Sequence, residues 1–261
     1  MRIVIIGAGR MGTWLVEEFC FDHEVAVYDI DRKKLKHFIH VKRFLEISEI
    51  ETFRPELMVN ASSLSNVCRG FDEAIPYLPE DCIISDVASV KTGLHDYYKG
   101  VGKRFVSTHP MFGPTFANVR DLRDESAIII KESDEEGKAF FRNFFEGLNV
   151  SVYEYSFEEH DKTIAYSLST PFVSSMVFAA CMKKQEAPGT TFRKHLKIAE
   201  GLLSEDDHLL AEIMFNPHTV RQIEEINSRL AYLTHIIRAK DYEEMHKFLN
   251  NLRNNIKGGR P

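Results

Sequence analysis

Six short runs of aliphatic and β-branched residues punctuate the first half of the chain: RIVIIGA, EVAVYDI, ELMVNAS, CIISDVA, RFVSTHP and SAIIIKE. Each has the length of a strand, and helical patterns lie between them, the rhythm of βαβ units on a mainly parallel sheet. Several runs are apolar at odd and even positions alike, so helices are expected on both faces of that sheet. From about residue 156 the strand pattern stops, and apolar residues recur every three or four positions through HKFLNNL. That spacing predicts helices to the end. The expected organisation is α/β, with a sheet domain over residues 1–155 and a helical domain over 156–261.

Helix starts in the second half carry their own chemistry. Ser156 with Glu159, and Asp241 with Glu244, have capping-box spacing, and Asn216 precedes Pro217 as a cap would precede a first-turn proline. Ser204, ahead of EDDHLLAEI, is read as a further cap. Pro171 falls inside the first of these helices. It removes one amide donor, which predicts a kink there and a Ser167 carbonyl without its helical partner. The tail KGGRP reads as a linker.

Composition narrows the function classes. The 261 residues carry a net charge of −6, which argues against a general nucleic-acid binder and leaves small-molecule work as the better fit. Four cysteines are scattered without a C-x-x-C pair, so neither a zinc site nor a disulfide framework is expected, and all four are read as reduced core residues of a cytoplasmic protein. The run IVIIGAG is too short to span a membrane and lacks the features of a signal peptide, so no membrane association is expected.

The first strand and first helix are joined by Gly7, Ala8, Gly9, Arg10, Met11 and Gly12, which has G-x-G-x-x-G spacing. Gly7 permits the tight turn, Gly9 lets backbone approach a pyrophosphate, and Gly12 lets helix and strand pack closely. The second strand ends in Asp29, where a carboxylate accepts hydrogen bonds from a ribose diol. In this context the glycines indicate a Rossmann-type dinucleotide site more than a bare strand-to-helix turn. Asp29 repels a 2′-phosphate and favours NAD, while Arg32, Lys33 and Lys34 just beyond it offset that repulsion and keep NADP in view.

Ligands of open α/β sheets bind beyond the carboxyl ends of the strands. Those ends here offer Ser62, Ser63, Ser89, Lys91 and His109, polar groups suited to holding an alcohol near a nicotinamide, with Ser62 assigned to the cofactor. His109 precedes Pro110, which biases it to extended geometry, and Gly113 with Pro114 is expected to turn the chain sharply. A single histidine is more often structural than catalytic; this one, pinned at a strand end in the cofactor half, is read as catalytic. The other ten histidines are read as having no comparable setting, and His37 with His40 as a solvated pair. No metal site is expected.

The pairing of DVASVK with STHPMFGP, behind IVIIGAGRMG, resembles the prephenate and arogenate dehydrogenase family of tyrosine biosynthesis, most of all its archaeal type. The resemblance runs over nearly the whole chain. It implies oxidative decarboxylation of prephenate to 4-hydroxyphenylpyruvate, with hydride passing from the ring carbon that bears the hydroxyl to NAD, or the same chemistry on arogenate. It also implies a helical second half that forms a homodimer. Some members are fused to chorismate mutase or another pathway enzyme, which the linker-like end leaves open. His109 then takes the proton of the ring hydroxyl, Ser89 orients hydroxyl and histidine, and Lys91 supports the loop. Where relatives have S-H-L-P-H this chain has LSTPF, with Ser169 and Phe172 at the two histidine positions. FRKHLKIA places Lys197 where an arginine usually binds a substrate carboxylate, so recognition is expected from Ser169, Lys197 and Arg193. Two other readings share the Gly-rich start: a dehydrogenase of the β-hydroxyacid or imine-reductase kind, which would use a lysine of the helical domain for proton transfer, and a redox-sensing module that holds NAD without chemistry.

Overall fold

A computed structural model describes residues 1–113 and 121–258. Pro114 of the expected turn, and residues 259–261 of the expected linker, lie outside the described residues. Eight strands form one sheet: β1 (Arg2–Ile6), β2 (Glu24–Tyr28), β3 (Lys42–Phe44), β4 (Leu57–Asn60), β5 (Ile83–Asp86), β6 (Phe105–Pro110), β7 (Ser126–Ile130) and β8 (Ser151–Tyr155). Their order across the sheet is β3-β2-β1-β4-β5-β6-β7-β8. The six runs read from the sequence are all strands. The two additions, β3 and β8, are short or polar, and they form the two edges, where only one neighbour is needed.

Pairing is parallel from β3 through β6. The β6–β7 pair is antiparallel, with His109 opposite Ile128, and β8 then runs parallel to β7. Along β1 the side chains alternate between two cores. Ile3 and Ile5 join Trp14, Leu15, Phe19, Phe141 and Phe145 on one face, whereas Val4 and Ile6 join Phe71, Tyr98 and Phe157 on the other. Burying both faces stabilises the sheet by about 1.5–3 kcal/mol for each large side chain removed from water.

The helices are α1 (Arg10–Phe19), α2 (Glu49–Phe53), α3 (Val67–Ala74), α4 (Leu94–Val101) and α5 (Glu135–Gly147) among the strands. After the last strand come α6 (Phe157–Ile164), α7 (Thr170–Cys181), α8 (Thr190–Leu202), α9 (Asp207–Met214), α10 (Thr219–Ala239) and α11 (Tyr242–Gly258). Strand β6 and helix α5 approach so closely that a side chain at Gly137 would stand 2.7 Å from Val106 Cβ. Ser156 and Glu159 form the expected capping box of α6, and the Glu244 amide donates to Asp241 Oδ1. Asn216 Oδ1 accepts from the His218 amide one residue before α10 begins. Ser204 does not cap α9. Its hydroxyl turns back to the Gly201 carbonyl, and Asp206, two residues nearer the helix, accepts from the His208 and Leu209 amides.

Pro171 is absorbed without a break. The turn before it, Ala165–Ser169, widens into a π-helix that joins α6 to α7, the usual way a helix takes in an irregularity at a functional site. The cysteines do not form a buried set: only Cys82 is in the core, and Cys68 and Cys181 are exposed. One described helical stretch, Phe157–Cys181, is long and apolar enough by length and composition to cross a membrane, and its most apolar 18-residue window is only 17% buried in this chain. Helices α7 and α11 bury no residue at all, and Val177, Phe215, Val220, Leu230 and Ile256 stand exposed along the helical half.

Candidate functional site

Sheet order reverses direction between β1 and β4, and the carboxyl ends of β1, β4, β5 and β6 open on the same side. This switch point is where open α/β sheets bind ligands. A cavity of about 1320 Å³ lies there, with α8 and α9 as its far wall.

Each end supplies specific groups. Gly7, after β1, has φ +100°, and a Cβ on it would lie 2.6 Å from the Ala61 carbonyl oxygen, so only glycine fits. At Gly12 a Cβ would lie 1.8 Å from the Gly7 oxygen. Gly9 is different: nothing lies within 4 Å of its missing Cβ, and it faces the cavity. Gly9 is also the N-cap of α1 and offers no side chain to the first-turn amides. A bare backbone surface, whose first-turn amides no N-cap side chain covers, with a helix dipole behind it suits a pyrophosphate. The residues therefore fit a dinucleotide.

Asp29 is buried at the end of β2, and its carboxylate does more than wait for a ribose. Oδ2 accepts from the Ala8 amide at 2.7 Å and Oδ1 from the Asp31 amide at 2.8 Å, bracing the Gly-rich turn. Oδ1 keeps a further lone pair for a diol. Of the three cations beyond it, Lys34 lines the cavity, with Nζ 3.4 Å from Asp29 Oδ2, whereas Arg32 pairs with Glu46 at the surface. Ser62 lines the cavity after β4, its hydroxyl donating to Asn60 Oδ1 at 2.6 Å.

Gly7, Gly9, Arg10, Met11, Asp29, Ser62, Ser89, His109 and Lys197 all line the one cavity. Ala8 and Gly12 sit behind it as supports of the turn. Two expected residues are elsewhere. Ser169 is fully buried against α10, where its hydroxyl meets Thr219 Oγ1 at 2.8 Å, because the π-turn presents Leu168 and Phe172 to the cavity instead. Arg193 is tied at the surface to the Pro188 carbonyl at 2.9 Å. Lys197 is thus the lysine that the helical wall gives the cavity among the described residues, beside His208.

His109 is buried but for its edge on the cavity. Its Nδ1 lies 2.9 Å from Nε2 of His160, and His160 Nδ1 lies 3.0 Å from Asp161 Oδ1. The expectation that no other histidine has a comparable setting is therefore wrong. His160 is on the buried stripe of α6 with Phe157 and Ile164, and that stripe rests against the strand end. The carboxylate fixes the protons. Since it only accepts, His160 carries its hydrogen on Nδ1, and neutral His160 then accepts from His109 Nδ1–H. The lone pair of His109 is left on Nε2, facing the cavity. Burial, then the neighbouring His160 and the Lys91 charge, hold His109 well below the ordinary histidine range, so the imidazole is an uncharged base at neutral pH. Burial is also the main cause of the lowered pKa of His160.

Lys91 has the supporting place expected of it. It is wholly buried, its ammonium held by Asp86 and by the Thr108 carbonyl at 2.7 Å. Ser89, half-buried on the cavity wall, makes no hydrogen bond among the described residues.

Against known proteins, the chain aligns with a probable arogenate/prephenate dehydrogenase of Methanocaldococcus jannaschii, 22% identical over 209 residues. It covers 74% of this chain and spans about half, 46%, of that relative. Among solved structures, prephenate dehydrogenase from A. aeolicus, in complex with hydroxyphenyl propionate and NAD+, superposes with a TM-score of 0.85 at 20% identity, over 99% of this chain and 98% of that one. Synechocystis arogenate dehydrogenase gives 0.77 at 18% identity, over 99% of each chain. At such identities the superpositions speak to the fold. Residues 15–154 match the model of the prephenate dehydrogenase nucleotide-binding domain. That match runs from inside α1 through β2–β7 into β8, more than half of the sequence, and it makes this chain a member of the prephenate dehydrogenase family.

Proposed function

We propose that the chain is an NAD-dependent prephenate dehydrogenase that converts prephenate to 4-hydroxyphenylpyruvate by oxidative decarboxylation. The observation that carries this reading is His109, uncharged, with its Nε2 lone pair on the cavity and its Nδ1 side locked by His160. When bound, the nicotinamide ring supplies the two-electron acceptor. The Gly7–Gly12 turn would hold the pyrophosphate and Asp29 the ribose diol. His109 removes the ring hydroxyl proton as its carbon is oxidised, a contribution of about 10² to 10⁴ in rate. Ser89, without another partner among the described residues, orients that hydroxyl, and Lys197 pairs with a substrate carboxylate. Leu168, Phe172, Ile198 and Leu209 make the opposing wall apolar, which strengthens these few polar contacts by excluding water.

A second reading takes arogenate as the substrate. One observation favours it: Glu125 also lines the cavity, and a carboxylate there suits an ammonium in place of a keto group. A spectrophotometric assay that crosses prephenate and arogenate with NAD and NADP decides. Prephenate-dependent NADH formation is expected; turnover of arogenate alone selects the second reading, and turnover of neither leaves a nucleotide-binding module.

The domain roles follow the same reading, with residues 1–155 for the dinucleotide and 156–261 for substrate and self-association in the cytoplasm. In this reading a second copy covers the apolar surface that Phe157–Cys181 and α10 leave exposed in this chain. Sedimentation is expected to give twice the 30.1 kDa chain mass, without detergent.

A further inference from the structure

His109 is one end of a row of groups that leads away from the cavity. The row passes through His160 to Asp161, at 2.9 and 3.0 Å. His160 is sealed off from solvent, with a side-chain exposure of 0%, and Asp161 at 15% is where the row meets water. The Asp161 carboxylate is outside the cavity lining, under the loop that follows β5, where it accepts from the Lys91 amide at 3.3 Å and the Thr92 hydroxyl at 3.0 Å. One helix, α6, thus brings both the imidazole and the carboxylate to the back of the base.

A buried base that takes a proton becomes a cation where cations are disfavoured. The charged groups facing it are the Lys91 ammonium, its partner Asp86, and Asp161 beyond His160. Lys91 is already neutralised by Asp86, so Asp161 is the anion left to compensate new positive charge. We propose that His160 and Asp161 relay the proton taken up by His109, so that the charge generated by the reaction comes to rest on the Asp161 carboxylate and not on the buried imidazole. The proposal rests on His109 being the base.

The protons balance. The substrate O–H bond breaks and an N–H bond forms at His109 Nε2. The proton on His109 Nδ1 passes to His160 Nε2, and the proton on His160 Nδ1 passes to Asp161 Oδ1. One proton has entered the row, both imidazoles end uncharged, and the carboxylate ends as a neutral acid. When product leaves, the proton on His109 Nε2 is lost to water in the cavity, the His160 Nε2 proton returns to His109 Nδ1 and the Asp161 proton to His160 Nδ1, which restores the resting tautomers and the carboxylate. His160 and Asp161 are thereby positioning and relay residues that act through His109.

The test uses the 261-residue chain and NADH formation from prephenate in H2O and D2O, with thermal unfolding as the check on folding. Asp161→Asn and His160→Gln are expected to lower kcat by about tenfold or more while KM for prephenate changes little, part of the general-base contribution. The solvent isotope effect, dependent on several protons in the native chain, should come to depend on one, and the acid limb of kcat/KM should move. Asp161→Glu should restore part of the rate. Thr92→Val, which removes a hydrogen bond to Asp161 without cutting the row, should leave the isotope effect as it was. The relay is overturned if Asp161→Asn and His160→Gln keep native kcat, pH profile and proton dependence while His109→Asn collapses. If His109→Asn also keeps native turnover, the base assignment itself falls. Should His160→Gln fail to fold, Asp161→Asn alone decides.

Discussion

Replacing Lys91 by methionine keeps the apolar stem of the side chain, one atom shorter, and deletes its charge. The ammonium has no exposed surface, and its loss leaves Asp86 ionised in the interior with two donors, the Tyr98 hydroxyl at 2.6 Å and the Ala88 amide at 3.0 Å. Breaking a buried pair from one side costs about 3–5 kcal/mol, and the two donors that remain place Lys91→Met near the lower figure. Burial pulls the Lys91 pKa down while Asp86 pushes it back up, so the lysine is worth keeping charged only because that carboxylate is there. In a chain of this size each kcal/mol moves Tm by about 2–4 °C, which gives an expected fall of roughly 6–12 °C at the lower cost. Asp86→Asn in the same chain removes the stranded charge; its one carbonyl oxygen can still accept from the Ala88 amide while its NH2 donates to the Tyr98 hydroxyl oxygen, so the double variant should regain part of the loss. Calorimetric melts of the native chain, the two single variants and the double variant at neutral pH close the cycle. A loss under about 1 kcal/mol for Lys91→Met, well short of the expected range, or a double variant no better than it, would refute the assignment of a charge-paired interior.

Other substitutions separate folding from binding. Gly9→Ala meets no protein atom and should keep the native Tm while weakening dinucleotide binding in titration calorimetry; Gly12→Ala collides with the Gly7 carbonyl and should lose both. Asp29→Ser should raise NADP use relative to NAD in the kinetic ratio, with Lys34 the nearest cation to a 2′-phosphate. Acid should destabilise the fold through the two paired histidines, whose pKa values are both lowered by burial. The unfolded chain takes up these protons near pH 6.5 and the folded one only at lower pH, so stability is full above about 6.5 and falls below it. The slope is at most about 2.7 kcal/mol per pH unit for two groups, measurable as Tm against pH, and His160→Gln should flatten it.

Strands buried on both faces announced themselves, since a run such as IVII has no other use in so short a space. Edge strands did not: KRF has three residues, and SVYEY spends part of its length on solvent. The reversal at β7 had a visible sign that went unread, because no helical pattern separates STHP from SAIII and a parallel neighbour needs a crossover. At the site, the Gly-rich turn, Asp29, Ser89 and His109 could be read because strand ends collect ligands whatever the rest of the chain does. His160 could not be read that way, as its contact with His109 spans 51 positions and two elements. Its one local signal was a histidine at an apolar position of α6, three after Phe157 and four before Ile164, with a carboxylate next to it. Ser169 shows the converse error. Alignment by residue count assumes α-helical winding, and the widened turn at 165–169 breaks that assumption.

That widened turn has one more consequence. Each residue of an ordinary helix advances the winding by about 100°, but an i→i+5 turn takes in one residue more than an i→i+4 turn, so losing one residue between 165 and 169 would tighten the segment and leave Phe172 on the cavity side. Losing one residue after the widened turn, between it and Phe172, would instead rotate that ring out of the wall. The tolerance of this wall to deletion therefore changes abruptly at a single position.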